Sequence, residues 1–165
     1  MSISAEAGRP LEGIKVIEVA MWAFVPACGG MLSDLGADVI KVEPPSGDPL
    51  RGLQIGGIGG GMGGGGKIDF SWESYNRGKR SITLDLKTEA GRAVLMKLCE
   101  GADIFLTNLL PPARRSMGID AESIRARFPD IIYASGSGSG PNGPEQDKGG
   151  YDAISFWARG SISAT

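Results

Sequence analysis

Histidine is absent from this sequence of 165 residues. Its absence excludes a Ser-His-Asp triad and any mechanism that needs a histidine general base. The common zinc sites that use imidazole ligands are excluded for the same reason. No other feature of the composition restricts the function as much.

Other features that are scarce or missing narrow the class of protein. No apolar run reaches about 18 residues, so we expect no membrane span, and residues 1–10, "MSISAEAGRP", lack a secretion signal, which predicts a cytoplasmic protein. Cys28 and Cys99 each fall within a predicted helix and are expected to be buried thiols, not a disulfide or a metal site. The net charge of −2 gives no reason to expect nucleic acid or an anionic membrane as a partner.

What is present fits one ordinary globular domain, with 41% hydrophobic and 22% charged residues. Short β-branched or apolar runs predict strands at 13–20, 38–43, 81–86, 103–108 and 130–138. Helical spacing and end signals predict helices at 26–38, 87–103, 120–128 and 151–160. This alternation predicts an α/β fold, an open, mostly parallel, doubly wound (Rossmann-like) sheet with helices on both faces.

Individual residues mark the predicted helix ends. Pro26 suits the first turn of the first helix and Gly36 suits its C-terminal stop. Thr88 and Asp120 are predicted N-caps, and Gly91 is a mild defect inside its helix.

A glycine-rich loop at 54–68 contains "GMGGGGKI", in which Gly61, Gly66 and Lys67 match the G-x-x-x-x-G-K of a phosphate-binding loop. A nucleotide hydrolase also needs Ser or Thr after the lysine, a buried strand before the loop and a helix after it. Residue 68 is Ile, "LQIGGIGG" is a poor strand, and "IDFSWESYNRGKR" is a poor first turn of a helix. We therefore expect a surface loop, or a lid that gates access to a site.

A dinucleotide-dependent oxidoreductase is the stronger rival at the level of the fold. Glu43 ends the second strand, where a ribose-binding carboxylate lies in such enzymes. However, the turn after the first strand is "AMWAFVPACGG", with no G-x-G-x-x-G, and Trp22 and Phe24 stand where glycines let a pyrophosphate approach. The sequence therefore argues against this class.

Five longer stretches resemble a known family. They are "LEGIKVIEVA", "LSDLGADVIKVEPPSGDPLR", "NRGKRSITLDLKTEAGRAVL", "ADIFLTN" and "IIYASGSGSGPNGPEQDKGGYD". In order and spacing they are similar to successive blocks of the class III CoA-transferases, also called the CaiB/BaiF family, over about residues 11–160. The family includes formyl-CoA and carnitine CoA-transferases as well as the α-methylacyl-CoA racemases.

The resemblance places the family's catalytic aspartate on Asp152, within "GGYD". It implies an acyl-CoA:carboxylate CoA-transferase that works through an aspartyl-CoA thioester. An aspartate is ionised at neutral pH and needs no histidine base, which is compatible with the composition. In the racemases a histidine typically precedes this aspartate, whereas Tyr151 stands here, so transfer is favoured. Asp152 is also a good N-cap for the last predicted helix, and both roles can hold together.

The resemblance also implies which residues bind CoA, a substrate here, with no prosthetic group expected. They are Met21, Trp22, Ala23, Lys79, Arg80, Asn108, Leu109 and Met117. Lys79 and Arg80 are equally compatible with solvated charges at a strand edge. Asn108 ends a strand at the carboxyl edge of the sheet, where ligands of such sheets bind.

Subunits of this family are much longer than this chain, so residues 1–165 resemble the N-terminal part of its large domain. The last predicted helix lacks a following strand, which suggests a fragment or a fold completed by a partner. The family implies an interlocked homodimer, an acyl-CoA donor and a carboxylic acid acceptor, with no nucleic acid or membrane partner. Two alternatives remain: an α-methylacyl-CoA racemase or CoA-thioester isomerase, and a non-catalytic CoA-binding fragment.

Overall fold

A computed structural model describes residues 8–51, 69–151, 155 and 157. The predicted glycine-rich loop at 54–68 lies outside the described residues, as does Asp152, and of the predicted helix at 151–160 only three residues are described. Strands and helices follow one another as β1 (Lys15–Val19), α1 (Phe24–Asp34), β2 (Asp38–Glu43), α2 (Phe70–Asn76), β3 (Arg80–Thr83), α3 (Glu89–Cys99), β4 (Ile104–Thr107), α4 (Pro111–Met117), α5 (Ala121–Arg127) and β5 (Ile132–Ser135).

The five strands form one sheet in the order β3-β2-β1-β4-β5, and every neighbouring pair is parallel. The chain builds outward from β1 to β3, then crosses back and continues from β4 on the other side of β1. Ile17 in the middle of β1 therefore pairs with Ile40 of β2 and Phe105 of β4. The predicted α/β class and parallel sheet are confirmed.

Apolar side chains point to both faces of the sheet, as expected when helices cover each face. One buried cluster joins the strands to α3 and α5 through Ile17, Val42, Leu95, Cys99, Phe105 and Ile124. The other cluster joins the opposite face to α1 through Val16, Ala20, Val25, Val39 and Leu106. The predicted helices on both faces are thus confirmed, and the loops at the strand ends are left to form a site.

The start of α1 differs from the sequence prediction. The helix begins at Phe24, with Ala23 as its N-cap, so it starts two residues before Pro26. Pro26 is still in the first turn, where a missing N–H leaves no hydrogen bond unmade. Gly36 follows the last turn with φ of 106°, which confirms the predicted C-terminal stop.

The predicted caps of α3 and α5 are confirmed. The Thr88 side chain accepts the Gly91 N–H, and the Asp120 carboxylate accepts the Ser123 N–H. Gly91 is not a defect, which corrects the prediction, because a Cβ there would overlap the carbonyl oxygen of Asp85. The start of α3 therefore packs against the preceding turn more closely than a residue with a Cβ at position 91 would permit.

Two short helices were not predicted. The segment around α2 was judged a poor helix start, which is wrong: the Asp69 carboxylate accepts the Trp72 N–H and caps it. Helix α4 begins with Pro111, at the position where proline is well tolerated, and ends at Gly118 with φ of 66°. Each helix brings residues to the site described below.

The two cysteines differ. Cys99 is buried as predicted, and burial raises the pKa of its thiol to about 12. Cys28 is exposed on α1, which corrects the prediction that both thiols are buried. Within the described ranges no helix is long and apolar enough to cross a membrane.

Candidate active site

A cavity of about 650 Å³ opens where the chain changes direction across the sheet, at the carboxyl ends of β1 and β4. Open parallel sheets bind ligands at this point, because the loops after the two strands diverge and leave a crevice. Loops after β1, β4 and β5 line it, and five of the residues predicted to bind CoA are among them: Met21, Trp22, Ala23, Asn108 and Leu109.

The Asn108 side chain ties the two diverging loops together. Its Oδ1 accepts the Met21 N–H at 2.9 Å, and its Nδ2 donates to the Met21 carbonyl at 2.6 Å. An amide carries its donor and its acceptor on separate atoms, so Asn108 pairs with both backbone groups of Met21. Asn108 therefore fixes the floor of the cavity.

Trp22 adopts a strained backbone conformation. Its φ is 68°, the one positive φ of a non-glycine residue among the described residues, a geometry that costs about 1–3 kcal/mol. The Asp48 Oδ1 accepts the Trp22 N–H at 3.0 Å and holds the turn. The indole then meets the Tyr151 ring edge-on, with centroids 5.6 Å apart. Through this contact the loop after β1 reaches the residue that precedes Asp152.

Beneath α1 two buried lysines support this loop. Lys41 Nζ lies 3.1 Å from Glu18 Oε1, 2.9 Å from Asp48 Oδ2 and 2.8 Å from the Ala20 carbonyl oxygen. Two carboxylates thus balance the ammonium charge, as a buried charge requires. These contacts stabilise the strained turn at Trp22, because Lys41 fixes the position of the Asp48 carboxylate, which accepts the Trp22 N–H.

Lys79 completes the same cluster. Its Nζ lies 2.7 Å from Glu18 Oε2, 2.8 Å from the Pro26 carbonyl oxygen and 3.0 Å from Asn76 Oδ1, and its side chain is only 2% exposed. Burial raises the pKa of Glu18 and lowers the pKa of Lys79, while the opposite charges resist both shifts. We call the group Glu18, Lys41, Asp48 and Lys79 the buried charge cluster.

A second ion pair fixes the segment between β2 and Arg51. Arg51 donates to both carboxylate oxygens of Glu43 at 2.8 Å and stacks 3.4 Å from the centroid of the Trp72 ring. Burial favours the neutral acid at Glu43, but hydrogen bonds from Arg51, Ser81 and the Asp48 N–H outweigh it and lower the pKa to about 2. The Glu43 carboxylate thus stabilises the loop that contains Asp48, and its hydrogen bonds leave it unavailable to a ribose.

A smaller cavity of about 220 Å³ lies beside the first, between the loops after β1, β2 and β3 and the face of α4. Its walls are mainly apolar and include Met117 at the end of α4, which is another of the residues predicted to bind CoA. Met21 and Leu109 line both cavities, so the two cavities adjoin each other at these side chains.

Lys79 and Arg80 line neither of the two cavities described above. Lys79 is enclosed in the buried charge cluster. Arg80 is exposed at the start of β3, where it pairs with Asp38 at the start of β2, so it lies at the amino edge of the sheet. Their contact with CoA stays a prediction, and Asp152 lies outside the described residues.

Two residues of this site were not among the predicted contacts. Asp48 had no signal beyond its place in "PSGDP", which was taken as a turn. Arg114 lines the larger cavity from α4, a helix that was not predicted. The described residues contain no group of three or more carboxylates and cysteines placed to hold a metal ion.

Comparisons with known proteins agree on one family. A model described as CoA-transferase family III matches residues 11–165. The chain is 37% identical over 159 residues to the cinnamoyl-CoA:phenyllactate CoA-transferase of Clostridium sporogenes, an alignment that covers 93% of this chain and 36% of that protein. It is 41% identical over 157 residues to the succinate–glutarate CoA-transferase of Agrobacterium fabrum, with 94% and 39% covered.

A solved structure supports the same relationship. A CaiB/BaiF family protein from Brucella suis matches with a TM-score of 0.79 and 38% sequence identity, over 94% of this chain and 40% of that chain. The chain therefore spans 36–40% of the length of these relatives.

Proposed function

The chain belongs to CoA-transferase family III, and from this premise we propose that the protein is an acyl-CoA:carboxylate CoA-transferase. The observation that carries the proposal is the larger cavity, which stands at the crossover point of the sheet and is bounded by Tyr151, the residue before Asp152. Five of the eight predicted CoA contacts lie in its wall. Residues 1–165 would form the N-terminal part of the family's large domain.

Asp152 would act as the nucleophile. Its carboxylate attacks the thioester carbonyl of the donor, the carbon–sulfur bond breaks, and CoA leaves as the thiolate. The product is a mixed anhydride between Asp152 and the acyl group. The thiolate then attacks the Asp152 carbonyl, which releases the donor acid as a carboxylate and leaves an aspartyl-CoA thioester.

The second half of the reaction repeats these steps with the acceptor. The acceptor carboxylate attacks the aspartyl-CoA carbonyl and again releases the CoA thiolate, giving an anhydride between Asp152 and the acceptor. Attack of the thiolate on the acceptor's carbonyl forms the new acyl-CoA and restores the Asp152 carboxylate. No proton changes hands in either half, which is consistent with a sequence that has no histidine.

The two adjoining cavities suit an extended ligand such as CoA. The acyl thioester would lie in the larger cavity next to Tyr151, and the opposite end of CoA would reach the apolar pocket by Met117. Asn108 and the strained turn at Trp22 would hold the passage between them, because both fix the backbone there. The cost of that strain supports a role in binding, since folding alone would favour a relaxed turn.

Tyr151 favours transfer over racemisation. An α-carbon racemase needs a group that can take and return a proton at neutral pH. Tyr151, half of whose surface is exposed, stands where the racemases of the family carry a histidine.

A homodimer remains part of the proposal. Met31 and Ile132 are more than 60% exposed in the described part of the chain, on α1 and on the edge strand β5. Exposed apolar side chains of this size mark an interface where they belong to one contiguous patch. Light scattering of the intact protein would give its subunit number.

The test of the proposed function is a transfer assay with the intact protein. One acyl-CoA at a time is mixed with a panel of carboxylic acids, and new CoA thioesters are identified by liquid chromatography and mass. We expect at least one acceptor acid to be converted into its CoA thioester, and Asp152→Asn to lower the rate by at least about 10³-fold.

The same assay separates the alternatives. Deuterium uptake at the α-carbon of an acyl-CoA, without any acceptor acid, would identify a racemase or isomerase instead. Binding of CoA with neither transfer nor exchange would identify a non-catalytic CoA-binding protein.

A further inference from the structure

Arg114 is a half-buried cation in the wall of the larger cavity. Its one side-chain hydrogen bond among the described residues runs from an Nη atom to the Tyr133 hydroxyl, at a long 3.4 Å. Its Nε is buried and has no hydrogen-bond partner, and none of the ion pairs within the described ranges includes it. A guanidinium in such a place loses hydration without gaining a counter-charge.

Arg115, the next residue on α4, has an ordinary counter-ion at the surface. Arg115 is 59% exposed and pairs with Asp147 at 3.6 Å. The buried lysines beneath α1 likewise each lie within 3.1 Å of a carboxylate oxygen. Arg114 departs from both patterns, so its missing partner points to an anion that comes from outside the described chain.

The rest of the cavity wall indicates what that anion is attached to. Arg114 is the one charged residue among its described lining residues, and large apolar or aromatic side chains dominate the remainder: Trp22, Phe24, Tyr75, Leu109, Leu110 and Tyr151. A cavity of this kind suits an acid with an apolar body and a single carboxylate. A guanidinium matches a carboxylate with two parallel hydrogen bonds.

We propose that Arg114 binds the carboxylate of the acid substrate, and that the apolar wall of the cavity favours acids with apolar bodies. The inference rests on the proposed CoA-transferase activity, which brings two kinds of anion to the site. The carboxylate fits better than the CoA phosphates, because the cavity is apolar and its wall runs through Gly149 and Gly150 to Tyr151 beside Asp152. The acid must reach that point to react.

Three variants test the proposal: Arg114→Gln, Arg114→Lys and the matched control Arg115→Gln. KM for the acid is measured at saturating acyl-CoA, and KM for acyl-CoA at saturating acid. Arg114→Gln should raise KM for the acid about 10- to 100-fold and leave KM for acyl-CoA within about threefold. Arg114→Lys should recover part of the loss, and Arg115→Gln should behave as the unaltered protein.

Two outcomes would overturn the proposal. A rise in KM for acyl-CoA with no change for the acid would assign the guanidinium to the CoA phosphates. Equal effects of Arg114→Gln and Arg115→Gln on both constants would reduce Arg114 to a structural role. Thermal melting of each variant checks that the fold is intact.

Direct binding separates this inference from the proposed function. If the protein transfers CoA to no acid, binding of 3-phenylpropionate is followed by ligand-observed NMR. Binding that Arg114→Gln abolishes and Arg115→Gln retains would uphold the carboxylate site even without transfer. Equal binding by the two variants, or no binding by the unaltered protein, would refute it.

Discussion

Two regions of the molecule differ in whether their positively charged side chains have counter-ions. Beneath α1, Lys41 and Lys79 form ion pairs with Glu18 and Asp48, and these two carboxylates balance their charge. Across the cavity, Arg114 has one long hydrogen bond and no counter-ion among the described residues. The first region buries its charges completely, and the second leaves one turned toward a cavity.

The difference separates what fixes the site from what contacts the ligand. Within the buried charge cluster, Lys41 fixes Asp48, and Asp48 holds the strained turn at Trp22. The cluster therefore stabilises the shape of the cavity. Arg114 holds no loop of this kind. Substitutions in the cluster should therefore lower stability, whereas substitutions at Arg114 should change KM.

The largest effect on stability is expected from Lys41→Met. The substitution leaves Glu18 and Asp48 buried with only Lys79 to balance them, and loss of one partner from a buried ion pair costs about 3–5 kcal/mol. Urea unfolding measures the change. Arg80→Met is the control, because Arg80 pairs with Asp38 at the surface and should contribute less than about 1 kcal/mol. Equal losses would show that the cluster does not stabilise the fold.

The next effect is a dependence on pH at Glu43. Its pKa is about 2 in the folded protein and near 4.5 without its partners, so the unfolded state binds more protons between these values. The stability from this group is present above about pH 4.5 and is lost as pH falls towards 2, on the order of 3 kcal/mol. Glu43→Gln should remove that slope. Parallel curves for the two proteins in urea unfolding would contradict the prediction.

A smaller effect is expected from Gly29→Ala on α1. A Cβ at Gly29 would overlap the Glu18 carboxylate, so the helix or the cluster must shift, at about 1–3 kcal/mol. Cys28→Ala on the exposed side of the same helix should change the free energy of unfolding by less than about 0.5 kcal/mol. If the two variants unfold alike, the close approach of α1 to the cluster is not needed.

The fold was largely predictable from the sequence, because alternating apolar strands and capped helices leave few other arrangements. Thr88 and Asp120 acted as predicted. Helix α2 was missed because its cap, Asp69, follows the glycine-rich stretch directly, and Gly91 was misjudged because its close contact with Asp85 is made only in the folded chain.

The site was only partly predictable. The loop at Met21 and the strand end at Asn108 came from the resemblance and from the rule for parallel sheets. Their mutual hydrogen bonds span 87 positions, which no local pattern can indicate. Lys41 looked like an ordinary strand residue, yet it is 1% exposed, and Arg114 gained significance only from its missing partner.

Covalent catalysis at Asp152 can be detected from the mass of the peptide that contains it, after the intact protein is mixed with an acyl-CoA and hydroxylamine. Hydroxylamine attacks an aspartyl anhydride or thioester and leaves a hydroxamate. We expect a hydroxamate on Asp152 that requires acyl-CoA and is absent in Asp152→Asn. CoA transfer that proceeds with no hydroxamate on Asp152, and at an undiminished rate in Asp152→Asn, would contradict it.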